Sequence, residues 1–140
     1  MATNKKLFIT SSVFVAFIDR THSKHAQATA CFRYFAAQKY KLYTSYVNLV
    51  EAYRVTFDDI NPFLARDFLR AITLSSINIL YPSEADTKAA VKALVNSESN
   101  ELNFVDAQTE VLAYRNSIDQ IFSFDPMHLL FGLTSFVLPV

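Results

Sequence analysis

The chain has 140 residues, enough for a single domain that buries about 70% of the surface its unfolded form exposes. Hydrophobic residues make up 51% and charged residues 19%, a balance that argues against disorder. The one cysteine, Cys31, excludes an internal disulfide and cysteine-rich zinc sites, and the one glycine, Gly132, excludes glycine-rich nucleotide loops. A chain without disulfides suits a reducing compartment, so we expect a cytoplasmic protein.

The net charge is zero, but the charges are unevenly distributed. Residues 1–54 carry eight Lys or Arg and two acids, whereas residues 55–140 carry five Lys or Arg and eleven acids. This asymmetry points to a polyanionic partner or to an acidic site. Two ordinary solvated faces would explain it equally well.

Two apolar stretches resemble targeting or membrane segments. Leu7–Ile18 follows two lysines, as in a signal peptide, but Thr10, Ser11 and Ser12 dilute it and no cleavage site follows directly. Met127–Val140 is apolar over 14 residues, and about 20 are needed to cross a bilayer. We therefore expect both stretches to belong to the core, and no membrane association.

The apolar pattern predicts strands that alternate with helices. The expected strands are Lys6–Thr10, Lys41–Thr44, Ile77–Tyr81, Gln120–Phe124 and Ser135–Leu138. The expected helices are Val13–Ile18 after caps Ser11 and Ser12, Thr21 or Ser23 to Gln38, Ser45 to Phe57, Asn61-Pro62 to Leu74, Glu84–Val95 after the Ser83/Asp86 capping box, and Asn103 to Asn116. This order predicts one α/β domain over residues 1–140, with a mainly parallel sheet of four or five strands flanked by helices.

Three acids are expected near the carboxyl edge of this sheet, where α/β proteins form their sites. Asp125 follows the fourth strand, Glu51 lies on the helix after the second strand, and Asp106 lies on the helix before the fourth. Glu51 and Asp106 stand among apolar neighbours, where a carboxylate is costly unless it is paired or binds a metal. For each acid alone, a cap or an ion pair is the simpler interpretation, but three together favour a site for Mg²⁺ or Mn²⁺.

These segments resemble a PIN domain over essentially the whole chain. The similarity rests on Phe8–Val13 (FITSSV) followed by Asp19, Tyr43–Ser45 (YTS) with Glu51, Asn103–Ala107 (NFVDA) and Phe122–Asp125 (FSFD). The resemblance implies a metal-dependent ribonuclease like the VapC-type toxins of toxin–antitoxin modules, with RNA as substrate and a cognate antitoxin as partner. It implies that Glu51, Asp106 and Asp125 hold Mg²⁺ or Mn²⁺, and that Ser12 and Ser123 match hydroxyl positions of the family's motifs.

One position departs from the family pattern. Where the family has its first aspartate, at the end of the first strand, this chain has Thr10. A neutral hydroxyl is a weaker ligand than a carboxylate for Mg²⁺, which dehydrates reluctantly. Two functions therefore stay open: a ribonuclease weakened or inactivated by Thr10, and a catalytically degenerate PIN fold that acts as a binding or scaffolding module.

The basic half of the chain supplies the candidate RNA contacts, which are Arg20, Lys24, Arg33 and Arg54. Each of these could instead be an ordinary solvated side chain. The composition is also rich in aromatic residues, with 13 Phe and 7 Tyr. Base stacking is one use of such residues, but we expect most of them in the core or in a homodimer interface.

Overall fold

A computed structural model describes residues 5–139, so that Val140 and the first four residues of the predicted domain lie outside the described part. Strands and helices follow one another as β1 (Lys6–Ile9), α1 (Ser11–Ile18), α2 (His25–Ala37), β2 (Lys41–Ser45), α3 (Tyr46–Asp59), α4 (Pro62–Leu74), β3 (Asn78–Leu80), α5 (Glu84–Val95), α6 (Phe104–Arg115), β4 (Gln120–Phe122) and β5 (Thr134–Ser135). Within these residues no helix combines the length and the apolar character needed to cross a bilayer.

The five strands form one sheet in the order β3-β2-β1-β4-β5, and every neighbouring pair is parallel. The predicted α/β fold with a parallel sheet is therefore confirmed. In the central strand, Phe8 pairs with Tyr43 of β2 on one side and with Ile121 of β4 on the other. Because helices cover both faces, Leu7, Phe8 and Ile9 are all fully buried.

Two hydrophobic clusters fill the space between the sheet and its helices. The larger one joins α1, α2, α3 and α4 to one face and is dominated by aromatic rings such as Phe14, Phe35 and Phe122, with Cys31 buried among them. The second joins α6 to the other face through Phe8 and Leu112. The two packed faces fix how α3 and α6 lie relative to the ends of the strands.

Side-chain caps determine where four of the helices begin. As predicted, the side chains of the cap residues accept hydrogen bonds from backbone N–H groups three positions later, at Ser45, Asn61, Ser83 and Asn103. The caps of α3 and α6 place Glu51 in the second turn of α3 and Asp106 in the first turn of α6. Both helices begin at the carboxyl edge of the sheet, so both acids stay close to that edge.

The start of α1 differs from the prediction. Ser11 and Ser12 are the first residues of the helix, not its caps, and Thr10 occupies the cap position without making a side-chain cap bond. The hydroxyls of these residues are free for other contacts at the sheet edge. The predicted start of α2, at Thr21 or Ser23, is also too early, because the helix begins at His25. Asp19 accepts hydrogen bonds from both the N–H and the hydroxyl of Thr21 and so holds the chain before α2 in a turn.

The last two strands are shorter than predicted. β4 ends at Phe122 because the backbone N–H of Phe124 donates to the Ser12 hydroxyl and not to a neighbouring strand. β5 lies at Thr134–Ser135, before most of the predicted segment, because Thr134 N–H bonds to the Asp119 carbonyl. β3 is likewise trimmed at both ends, to Asn78–Leu80.

Candidate functional site

Hydroxyl groups tie the end of β1 to the end of β4. The Thr10 hydroxyl donates to the Phe122 carbonyl at 3.1 Å and lies 3.3 Å from the Ser12 hydroxyl. Ser12 in turn lies 3.2 Å from the Ser123 hydroxyl and accepts from Phe124 N–H at 2.9 Å. The backbone that leads from β4 to Asp125 is therefore fastened to the first turn of α1.

Ser11 connects the same turn to the acid on α3. Its hydroxyl donates to Glu51 Oε1 at 2.6 Å, and its backbone N–H donates to Asn48 Oδ1 at 3.0 Å. Asn48 and Glu51 are three residues apart and thus share one face of α3. The Glu51 carboxylate is consequently held toward the ends of β1 and α1.

Asn48 is a functional-site residue that sequence reasoning missed. Its side chain is almost completely buried and donates to Thr109 Oγ1 on α6 at 2.7 Å and to Ser45 Oγ at 2.9 Å. Together with the Ser11 contact, these bonds join α1, α3 and α6 through one amide. A signal was present in the sequence: Asn48 is a polar residue one turn before Glu51 and three residues after the cap Ser45.

The three predicted acids influence one another electrostatically. Burial, together with the negative charges of Glu51 and Asp125, raises the pKa of Asp106 from its ordinary 3.8 to about 6. Asp125 is exposed, and its backbone N–H donates to Ser123 Oγ at 3.1 Å. Glu51 on α3 and Asp125 after β4 thus lie close enough to Asp106 on α6 for their charges to act on it.

A fourth carboxylate, Glu110, lies one turn after Asp106 on α6 and was also missed. It is fully buried; Oε1 accepts from Leu130 N–H at 2.6 Å, and Oε2 is without a hydrogen-bond partner in the described structure. Burial and, to a smaller extent, the charge of Asp106 outweigh the lowering effect of the Leu130 N–H, so that the pKa of Glu110 is raised to about 7. The i, i+4 spacing of two acids in an apolar helix was the available signal.

Two of these acids, Glu51 and Asp125, line an open cleft of about 250 Å³, whereas Asp106 and Glu110 are not among its lining residues. The cleft is also lined by Ser11, Ser12, His22 and Lys24. The ion pairs found within residues 5–139 involve none of the carboxylates of Glu51, Asp106 and Asp125. None of these three carboxylates is therefore neutralised by a direct ion pair within the described residues.

The donor types and the charge of these residues fit a hard divalent cation, since such ions prefer carboxylate and hydroxyl oxygens. In the described part of the chain, however, no three His, Cys, Asp or Glu side chains are close enough together to ligate one ion. Binding would require the carboxylates to rotate toward one another. Thr10 adds a hydroxyl to this edge and no negative charge.

The four predicted RNA contacts lie in different places. Lys24 lines the cleft, with Nζ 5.2 Å from the centre of the Phe124 ring. Arg54 lines a neighbouring hollow together with Glu51. Arg20 lines a separate hollow beside Asn61, and Arg33 is exposed on α2. Lys24 and Arg54 are therefore the two that the fold brings next to the acids.

Comparison with known proteins gives matches in structure and none in sequence. No family model matches the chain, and no curated protein matches it either. Among solved structures, it is similar to Mycobacterium tuberculosis VapC20, described as a toxin that cleaves the sarcin-ricin loop, with a TM-score of 0.76 and 19% identity over 85% of this chain and 89% of that one. It is also similar to VapBC2 from Rickettsia felis, solved with a DNA fragment from their promoter, with a TM-score of 0.64 and 15% identity over 86% and 88% of the two chains.

At these identities, the likeness is one of fold. The chain has the PIN-like fold of VapC-type proteins, which confirms the fold implied by the resemblance in sequence. A shared fold does not establish a shared activity, because activity depends on the side chains at the site.

Proposed function

We propose that the protein is a metal-dependent endoribonuclease of the PIN toxin type, which hydrolyses RNA phosphodiester bonds and is weakened by Thr10. The observation that carries the proposal is Asp106, a half-buried carboxylate on which the charges of Glu51 and Asp125 act and which no ion pair of residues 5–139 neutralises. Similarity of fold to VapC20, described as a toxin that cleaves the sarcin-ricin loop, supports RNA as the substrate class.

In this proposal each residue of the site has a definite task. Glu51, Asp106 and Asp125 would hold Mg²⁺ or Mn²⁺, which when bound polarises the scissile phosphate and lowers the pKa of a water for in-line attack. Ser11 fixes the orientation of Glu51 through its 2.6 Å hydrogen bond. Ser12 fastens the backbone leading to Asp125, and Lys24 at the cleft offers positive charge to a phosphate.

The first prediction concerns Asp106. Because Asp106→Asn removes a ligand charge but keeps the shape of the side chain, we expect RNA cleavage in Mn²⁺ to fall at least about a hundredfold. A gel assay on a labelled single-stranded RNA measures it, with EDTA as a second way to stop the reaction. Asp59→Asn, an exposed acid at the end of α3, is the matched control and should cleave like the unchanged protein. Undiminished cleavage by Asp106→Asn, or cleavage in EDTA, would contradict the proposal.

The second prediction concerns Thr10. An aspartate there would restore the family's first acid, so Thr10→Asp should raise Mn²⁺ affinity about tenfold or more and increase cleavage in parallel. Calorimetric titration with Mn²⁺ measures the affinity without RNA. Thr73→Asp, which adds the same charge at an exposed position of α4, should change neither quantity. If Thr10→Asp behaves like Thr73→Asp, the metal site has been misplaced.

The alternative is a catalytically degenerate PIN fold that acts as a binding or scaffolding module. Thr10 is the observation that favours it, because its hydroxyl is already used by the Phe122 carbonyl and brings no negative charge. Such a module would give no saturable Mn²⁺ binding in the calorimetric titration. Cleavage and Mn²⁺ binding that are both lost in Asp106→Asn would exclude it.

The proposal includes the expected partners and location: a cognate antitoxin, a second copy of the chain and the cytoplasm. Large exposed apolar side chains, among them Phe63 and Leu74, support an interface with another protein. Light scattering on the purified chain distinguishes a homodimer from a monomer.

A further inference from the structure

Two tyrosines form an exposed stack at the edge of the sheet that carries the acids. Tyr46 directly follows β2 and Tyr81 directly follows β3, and these strands are parallel neighbours, so both residues lie at their common carboxyl edge. Their ring centres are 5.8 Å apart with the planes inclined by 28°. The two residues are 49% and 67% exposed, so much of their ring surface is open to solvent.

A shallow hollow is shared by one ring of this stack, Tyr46, and one of the acids, Glu51. It measures about 310 Å³ and is lined by Tyr46, Val47, Val50, Glu51, Arg54 and Val105. Glu51 also lines the cleft of the candidate site, and Val105 is the neighbour of Asp106 in the chain. The hollow therefore adjoins the acidic cleft at Glu51, which lines both.

The hollow combines the groups that an unpaired nucleotide needs. Exposed aromatic rings offer a surface on which a base can stack, and the valines give an apolar floor. Arg54 pairs with Asp58 at 3.7 Å, but both side chains are more than half exposed, so this pair is weak. A guanidinium has five N–H donors, which leaves several of them for a phosphate.

We propose that Tyr46 and Tyr81 form a stacking platform for one unpaired base of single-stranded RNA, with Arg54 holding an adjacent phosphate, beside the acidic cleft. The identity of the ligand as RNA rests on the function proposed above. A second protein copy fits this face less well, because it would have to cover the charges of Glu51, Arg54 and Asp58 together with the rings, and charged groups are depleted from the centres of interfaces.

The test is the binding of a fluorescein-labelled oligoadenylate of about ten nucleotides, a length typical of one single-strand site, followed by anisotropy in EDTA. Tyr81→Ala should weaken binding about tenfold, whereas Tyr81→Phe, which keeps the ring, should bind within about twofold of the unchanged chain. The matched control is Tyr114→Ala, which removes another exposed ring, from the last turn of α6, and should bind normally. An oligomer of the same length without bases should bind weakly and equally to all variants.

Two results would overturn the inference. One is equal affinity of Tyr81→Ala and Tyr114→Ala, which includes the case in which no variant binds RNA. The other is a change from dimer to monomer in Tyr81→Ala, seen by light scattering, with RNA affinity retained; the stack would then be a contact between subunits. Because binding is measured in EDTA, a chain that fails to cleave RNA but loses affinity in Tyr81→Ala would refute the nuclease proposal and keep this one.

Discussion

At the scale of a single residue, Glu110 makes the stability of the native state depend on pH. A carboxyl whose pKa is raised on folding keeps its proton in the native state while the unfolded chain has already lost it. For Glu110 this window runs from its ordinary value of 4.5 to about 7. Native stability therefore declines as the pH rises through the window, and the decline is complete above the folded pKa. Asp106 adds a decline between 3.8 and about 6.

Glu110→Gln should remove its share of this decline. Glutamine keeps an oxygen that can accept from Leu130 N–H but cannot ionise, so the variant should match the unchanged chain near pH 5 and exceed it at pH 8 by about 2 kcal/mol. Urea unfolding in EDTA at the two pH values measures the difference. Glu101→Gln, an exposed loop acid, serves as the control. If the stabilities of Glu110→Gln and the unchanged chain change in parallel with pH, ionisation of Glu110 does not destabilise the native state and the prediction is wrong.

The residues of the candidate site differ in how well the sequence predicts them. Glu51, Asp106 and Asp125 could be assigned to one edge because each follows from its place relative to a strand end, which the order of elements determines. Asn48 and Glu110 were missed: their spacing from Glu51 and Asp106 placed them on the same helix faces, but their hydrogen-bond partners depend on which groups meet them in space. Asn48 meets Thr109 from α6, and Glu110 meets Leu130 from the segment after β4.

At the scale of elements, the helix starts that were predicted correctly are those set by chemistry within a few residues. Ser45, Asn61, Ser83 and Asn103 each accept from the backbone of their own helix, so a short sequence window contains both partners. The end of β4 was misjudged because the partner of Phe124 N–H is the hydroxyl of Ser12, far away in the chain. No local pattern could have indicated that bond.

The helices of the site are also joined by contacts that no single element predicts. Asn48 accepts from Ser11 at the start of α1 and donates to Thr109 on α6, while its own helix carries Glu51. Because its amide is buried and its hydrogen-bonding groups are paired, it favours one arrangement of three helices over others. The relative positions of the acids thus depend on a neutral side chain that carries no sequence motif.

At the scale of the whole molecule, the order of strands and helices was enough to predict the fold, although no sequence comparison finds a relative. A TM-score of 0.76 at 19% identity with VapC20 shows that few identical residues are needed to keep this architecture. Apolar strands, amphipathic helices and caps specify the layers, and many sequences satisfy those requirements. The chemistry at the edge depends on a handful of positions, among them Thr10, which brings a hydroxyl and no negative charge.

The proposed cation should also be visible in the stability of the entire domain. A ligand that binds the native state alone stabilises it by about 2.7 kcal/mol at a hundred times its dissociation constant, which for a domain of this size is a rise in Tm of several degrees. Mn²⁺ should therefore raise the Tm of the RNA-free chain at pH 8, and less at pH 5.5, where Asp106, with its pKa of about 6, is largely protonated and protons compete with the ion. Scanning calorimetry at matched ionic strength measures the shift, and Asp106→Asn should lose most of it while Asp59→Asn keeps it. An equal shift in both variants would mean that Mn²⁺ acts elsewhere on the molecule.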